Sequence, residues 1–197
     1  RAVMEALQDA NVLQMLATVI QDTVVTELRK TIEENSAVIQ SLKTALEEKN
    51  KKIAELESKV DDIEQYQRRQ CLRIFGVKEE AAENTDDLVI KVAKDIGVEI
   101  SVSDIDRSHR VGRKIEDRPR PIIAKFCSYR KRNEVYRSKK QLKGTGITIR
   151  EDLTRVRHQL LKDCISRYGL HNVWTQDGAI IVKSEDARRR ITRREEM

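Results

Sequence analysis

The sequence predicts an α+β protein in which a long parallel coiled coil is followed by two small mixed domains. Three observations predict it. Apolar residues in the first third recur at alternating steps of three and four; from residue 71 onward short alternating runs lie between helix-like stripes; and the charge balance changes sign between the two parts. The chain has 197 residues, 39 Lys and Arg against 33 Asp and Glu, and a net charge of +6. Charged residues make up 37% of it, above the roughly 25% of ordinary domains, and aromatic residues only 4%. One large compact core is therefore not expected. No run approaches the roughly 20 apolar residues of a membrane span, and the first 30 residues lack a signal-peptide layout. These features point to a soluble intracellular protein with no membrane partner.

Residues 1–67 are expected to form an oligomerising rod. The a positions of the heptad are Ile32, Ile39, Leu46, Ile53 and Val60, and the d positions are Asn35, Leu42, Lys49, Leu56 and Ile63. Asn35 and Lys49 either fix register and oligomer state at a cost in stability or mark a frayed seam. Upstream, Leu13, Leu16, Ile20, Val24, Leu28 and Ile32 depart from strict heptads, so a stutter is expected inside one continuous helix. A polar helix with a single apolar stripe cannot bury that stripe alone, which calls for copies of itself. Isoleucine at a with leucine at d leans towards a parallel dimer. Lys52, Ile53, Leu56 and Glu57, repeated as Lys59, Val60, Ile63 and Glu64, resemble the signature of parallel trimers. A homotrimer is expected, with a dimer as runner-up.

Residues 68–150 read as a small α/β module. After a basic hinge at Arg68 and Arg69, residues 71–77 (CLRIFGV) alternate like a strand. Asn84 caps a helix with Asp86 and Asp87 in its first turn and Leu88, Val89, Val92, Ala93 and Ile96 on its buried stripe, and Gly97 stops it. SDIDRSHRVG supplies a second strand and a basic loop, and RPIIAKF, residues 120–126, a third strand with Phe126 in the core. Residues 129–142 form a basic helix, in which Arg130, Lys131 and Arg132 read as solvated. Residues 147–152 (ITIRED) form a fourth strand. The order β-α-β-β-α-β is the ferredoxin-like arrangement of RNA-recognition domains.

Residues 151–185 form a small helix-plus-hairpin domain. A helix over residues 152–168 has Asp152 as its cap and Leu153, Val156, Leu160, Leu161 and Ile165 on its apolar face. Asp177-Gly178 then turns a hairpin that pairs Val173 and Trp174 with residues 180–182. Trp174 reads as a core anchor, with base stacking as the alternative. Residues 186–197 form a basic, mobile tail.

Charge placement directs the functional reading. Residues 1–70 carry 10 basic and 13 acidic side chains, whereas residues 103–150 carry 15 and 5, a net +10 that exceeds the surplus of the whole chain. Such a concentration favours a polyanion partner over a solvated face. The candidate nucleic-acid-binding residues are Arg68, Arg69, Arg107, Arg110, Arg113, Lys114, Arg118 and Arg120. The three cysteines, Cys71, Cys127 and Cys164, form no C-x-x-C pair, and His109, His158 and His171 are scattered. No catalytic, cofactor or metal motif occurs, so neither an enzyme nor a metal or cofactor requirement is expected.

The heptad rod taken with QYQRRQCLRIFGV, DIDRSHRVG, RPRPIIAKF and LKGTGITIREDL resembles the first-open-reading-frame protein of LINE-type, non-LTR retrotransposons, over roughly residues 25–185. The last part is also similar to the C-terminal domain of baculovirus few-polyhedra proteins. The resemblance implies a homotrimer that binds single-stranded RNA and DNA and acts as a nucleic-acid chaperone beside the element's reverse transcriptase. It further implies a cytoplasmic ribonucleoprotein, with the nucleus as a second location. It places Arg69, Arg107, Arg120 and Arg137 near the family's RNA contacts, and Arg155 and Arg157 at a comparable place in the last domain. The strand positions that usually carry stacking aromatics hold Arg73, Pro121 and Ile123, so binding is expected to rest on phosphate contacts with little sequence specificity. The alternative is a coiled-coil adaptor whose globular end binds protein.

Overall fold

The structure, a computed structural model, describes residues 9–116, 118–183 and 187–197. The first eight residues of the expected rod and the boundary expected between residues 185 and 186 lie outside them. The chain divides into two units, Arg1–Glu57 and Ser58–Met197. It is α+β, a long helix followed by antiparallel sheets.

Helix α1 spans Ala10–Arg68 without interruption, stutter included. No glycine or proline falls within it, and Asp9 opens it by accepting the Asn11 amide at 2.8 Å. The seam stays open to solvent: Ile39 is 52% and Leu46 61% exposed. That is an unpartnered apolar stripe on a helix too polar to fold onto itself.

In the second unit, β1 (Cys71–Phe75), α2 (Thr85–Asp95), β2 (Ile105–Arg110), β3 (Ile122–Phe126), α3 (Tyr129–Ser138) and β4 (Thr148–Glu151) follow in sequence. The four strands form an antiparallel sheet in the order β2-β3-β1-β4. Both helices cover one face, because Leu72, Ile74, Ile122, Ala124, Phe126 and Ile149 alternate onto it and meet Val89, Val92, Ile96 and Val135. Asn84 caps α2 through the Asp86 amide at 3.0 Å. Gly76 closes the end of β1 at φ +85°, and a Cβ there would stand 2.2 Å from the Gly146 carbonyl oxygen. Gly76→Ala is accordingly expected to destabilise this unit by about 2 kcal/mol, measurable as a lowered urea midpoint.

The remaining elements are α4 (Arg155–Tyr168), β5 (Val173–Gln176), β6 (Ala179–Lys183) and β7 (Arg188–Ile191). They build a second core from Leu160, Cys164, Val173, Ile180, Val182 and Ile191. The Asp177-Gly178 turn has both residues at positive φ, 52° and 75°, as a two-residue hairpin requires. Val173 pairs with Val182 and Trp174 with Ile181.

Several expectations are corrected. The basic tail is not mobile over its described part: β7 pairs along β6, and Ile191 is buried in the core. Trp174 is no core anchor. Neighbouring strand residues face opposite sides, so burial of Val173 turns the indole outward. Helix α4 starts three residues later than expected, because Thr154 takes the cap by accepting the Arg157 amide at 3.2 Å. Val156 then faces solvent. The second basic helix ends at Ser138 and tightens into a 3-10 turn over Lys139–Leu142. Arg132 is fully buried rather than solvated, paired with Glu151 at 2.7 Å.

The last turns of α1 belong to the second unit, which begins at Ser58. Asp61 accepts from the Thr154 hydroxyl at 2.5 Å and from Arg157 Nε at 2.8 Å. Gln65, itself buried, donates to the Asp152 carbonyl and accepts the Thr154 amide, both at 3.0 Å. The helix end is thus fastened by polar contacts to the segment joining β4 to α4.

Candidate nucleic-acid interface

The sheet face turned away from α2 and α3 carries the residues that alternate with the core. Across the strands these are Arg107 and His109, then Ile123 and Lys125, then Arg73 and Phe75, then Arg150 and Thr148. Pairings Arg107↔Lys125, Arg73↔Ile123 and Arg73↔Arg150 place them side by side. A bulge between Ile105 and Arg107 resets the register of β2, so that Ser108 turns inward to hydrogen-bond Thr85 and Asp86 while Arg107 turns out.

Two hollows flank this face. The larger, about 700 Å³, lies where α1 meets the sheet, between Tyr66, Arg68, Arg69, Arg107 and Lys125. The smaller, about 280 Å³, lies under the β2–β3 loop and is lined by Arg73, Arg113, Arg118 and Arg120 with Ile115 and Pro121. Asp152 stands between them, fully buried, with its carboxylate 2.7 Å from Arg68 Nη1 and 2.5 Å from Arg73 Nε. Expected as a helix cap, it instead aims two arginines along the open face. Arg69, Arg107 and Arg150 have no ion-pair partner among the described residues, while Lys125 pairs with Asp106 at 2.8 Å.

The arginines expected to bind thus separate into distinct environments. Arg68, Arg69 and Arg107 come together in one hollow, and Arg113 and Arg118 join Arg73 in the other; Lys114 is exposed on the same loop. Arg110 is not available to a ligand. Its side chain is 4% exposed, pairs with both oxygens of Glu83 at 2.7 and 2.8 Å, and donates to the Val77, Lys78 and Arg120 carbonyls. Arg157 is equally committed, to Asp61, Asp62 and the Gly178 carbonyl. Arg120 is held by Glu79 at 2.6 Å, and that hydrogen bond lowers the Glu79 pKa to about 2. Arg137 is exposed on α3, on the helix-covered side, and Arg155 is exposed at the start of α4. Partial burial, then Lys162, Arg73 and Arg150, hold the His158 pKa below its usual value, so this imidazole adds little charge at pH 7.

Residues missed from the sequence are Tyr66, Phe75, Lys125 and Arg150, while Arg73, already placed on this face, was not among the candidate binding residues. The signal was present, since each strand residue follows or precedes a core residue by one. The usual stacking positions hold no aromatic, but two aromatics stand elsewhere beside this face. Phe75 lies on the open face with the Arg150 guanidinium 5.4 Å from its ring centre, and Tyr66 lines the larger hollow with Arg69 at 4.0 Å.

Among the described residues, no group of three or more His, Cys, Asp and Glu is placed to hold a metal, and no helix is long and apolar enough to cross a membrane. Compared with known proteins, the chain matches no family model and no curated protein.

Proposed function

We propose that the second unit binds single-stranded RNA or DNA along the open sheet face, that α1 assembles the chain into a parallel trimer, and that the assembly acts as a nucleic-acid chaperone. The observation that carries the proposal is the row of cations on one sheet face, Arg107, Lys125, Arg73 and Arg150, of which Arg107 and Arg150 have no ion-pair partner among the described residues, with the unpaired Arg69 beside it at the end of α1. Like charges stand opposite one another across the strands, Arg107 beside Lys125 and Arg73 beside Arg150, a repulsion that phosphate neutralisation relieves. The strand order β2-β3-β1-β4 with both helices on one side supports an RNA-recognition-type domain, in which the uncovered face meets the strand. The open heptad seam supports self-association.

Mechanistically, Asp152 orients Arg68 and Arg73, the β2–β3 loop supplies Arg113 and Arg118, and the strands supply Arg107 and Arg150. Contacts of this kind track a phosphate chain and carry little base information, which suits a protein that melts and reanneals strands without choosing among them. The Arg69→Gln, Arg107→Gln, Arg150→Gln triple variant is expected to flatten the salt dependence of single-strand binding by about 2 log units per log unit of salt, at roughly 0.7 per phosphate. Arg110→Gln is expected to leave that slope unchanged and to lower the unfolding midpoint instead. Equal slopes for the wild type and the triple variant would remove the sheet face as the binding surface.

A further inference from the structure

We infer that Tyr66 is a base-stacking platform, so that the larger hollow binds an unpaired nucleobase as well as phosphate. The inference rests on the proposed single-strand binding and adds the chemistry that separates an unpaired strand from a duplex. Tyr66 is 64% exposed on the second unit, at the rim of the hollow it shares with Arg69, Arg107 and Lys125. An aromatic ring this open in a chain with so few aromatics has no packing role within the unit. Its setting is cationic rather than apolar. The Arg69 guanidinium lies 4.0 Å from the ring centre, and exposure this large with one face covered leaves the other face open.

That geometry suits a base. The ring is covered on one side by Arg69, in the turn that follows its helix, so little conformational freedom is lost when a flat ligand lies on its free face. Lys125 and Arg107, across the hollow, meet the phosphates on either side of the stacked nucleotide. The Gln70 amide, donating to the Cys127 carbonyl at 3.2 Å, stands on the same rim and keeps the helix end close to β3. Stacking on one ring tolerates every base, because each has a π face, and excludes a duplex, whose bases are already stacked. Arg68 and Arg69 supply charge; the tyrosine between two glutamines just before them carries the selectivity for single strands.

Tyr66 also continues the series Lys52 and Lys59 that flanks the heptad seam. The competing role is therefore a seam-flanking contact between copies, and the test separates the two. Anisotropy titrations use the full chain as wild type, Tyr66→Ala and Tyr66→Phe, against a labelled thymidine strand and a strand of abasic residues, each of about 20 nucleotides. Tyr66→Ala is expected to weaken binding of the thymidine strand about tenfold and to leave the abasic strand unaffected, while Tyr66→Phe stays within about twofold of wild type on both. Equal affinities of Tyr66→Ala and wild type for the thymidine strand would overturn the platform while leaving phosphate binding intact. Equal losses on both strands, with a changed sedimentation coefficient, would assign Tyr66 to the seam and overturn it too. A wild-type chain that binds neither strand would overturn the binding proposal along with the platform.

Discussion

Replacing Glu151 with alanine is expected to destabilise the second unit by about 3–5 kcal/mol, because it leaves an uncompensated buried charge. Glu151 ends β4 in the interior, where its carboxylate accepts from Arg132 Nη2 at 2.7 Å and from the amides of Asp177 and Gly178 at 2.9 and 3.2 Å. One carboxylate thus joins the first sheet, helix α3 and the β5–β6 turn. Beyond Glu151, Arg132 has among the described residues only a longer ion pair, with Nη1 4.0 Å from the half-exposed carboxylate of Asp177. Its Nε and Nη1 have no hydrogen-bond partner among the described residues, and its guanidinium lies 5.9 and 4.9 Å from the ring centres of Tyr129 and Tyr136. The loss is measured by urea unfolding followed through Trp174. A double-mutant cycle with Arg132→Met is expected to recover much of it, since removing both charges removes the desolvation cost that the pair was offsetting. Additive losses would mean that the two side chains act independently.

Breaking the seam with Leu42→Asp and Leu46→Asp is expected to give a monomer by sedimentation and to weaken binding of long single strands about 100-fold, the scale of avidity lost when linked sites are separated. Binding of a strand that fills one site only is expected to stay within about twofold, because the sheet face is untouched. Substitution is preferable to truncation here. Deleting everything before residue 68 would also remove Asp61, Asp62 and Gln65, stripping Arg157 of both carboxylates and the Thr154 amide of its acceptor. The binding loss would then report unfolding rather than valency. Equal affinity of monomer and wild type for a long strand would remove valency from the account.

Elements ruled by local pattern were legible in the sequence. The uninterrupted first helix, the Asn84 cap, the alternation that buries Leu72, Ile74 and Phe126, and the Asp177-Gly178 turn each depend on residues within a few positions of one another. What stayed hidden was pairing over distance. Arg110 and Arg120 sit inside the basic block, but their partners Glu83 and Glu79 lie outside it, so charge counted along the chain credits them to an interface. Arg132 shares a helix face with Val135, yet an arginine is rarely buried without a carboxylate, and Glu151 is brought to it only by the fold. The strand over RRRI escaped notice for a different reason. At a sheet edge, three successive charges are tolerated as long as one residue, here Ile191, reaches the core. The open face was the most recoverable loss, since the period that located the core also locates its opposite side.

The central claim is that the open face neutralises phosphates of an unpaired strand. The most direct measurement is the affinity of the full chain for a labelled single-stranded RNA as a function of salt, repeated with a scrambled sequence and with a duplex. The account predicts a log-log slope near −4, for roughly six phosphates at about −0.7 each, indifference to scrambling and weaker binding of the duplex. A flat salt dependence, no binding at physiological salt, or a preference for the duplex would contradict it and turn attention to a protein partner for the globular end.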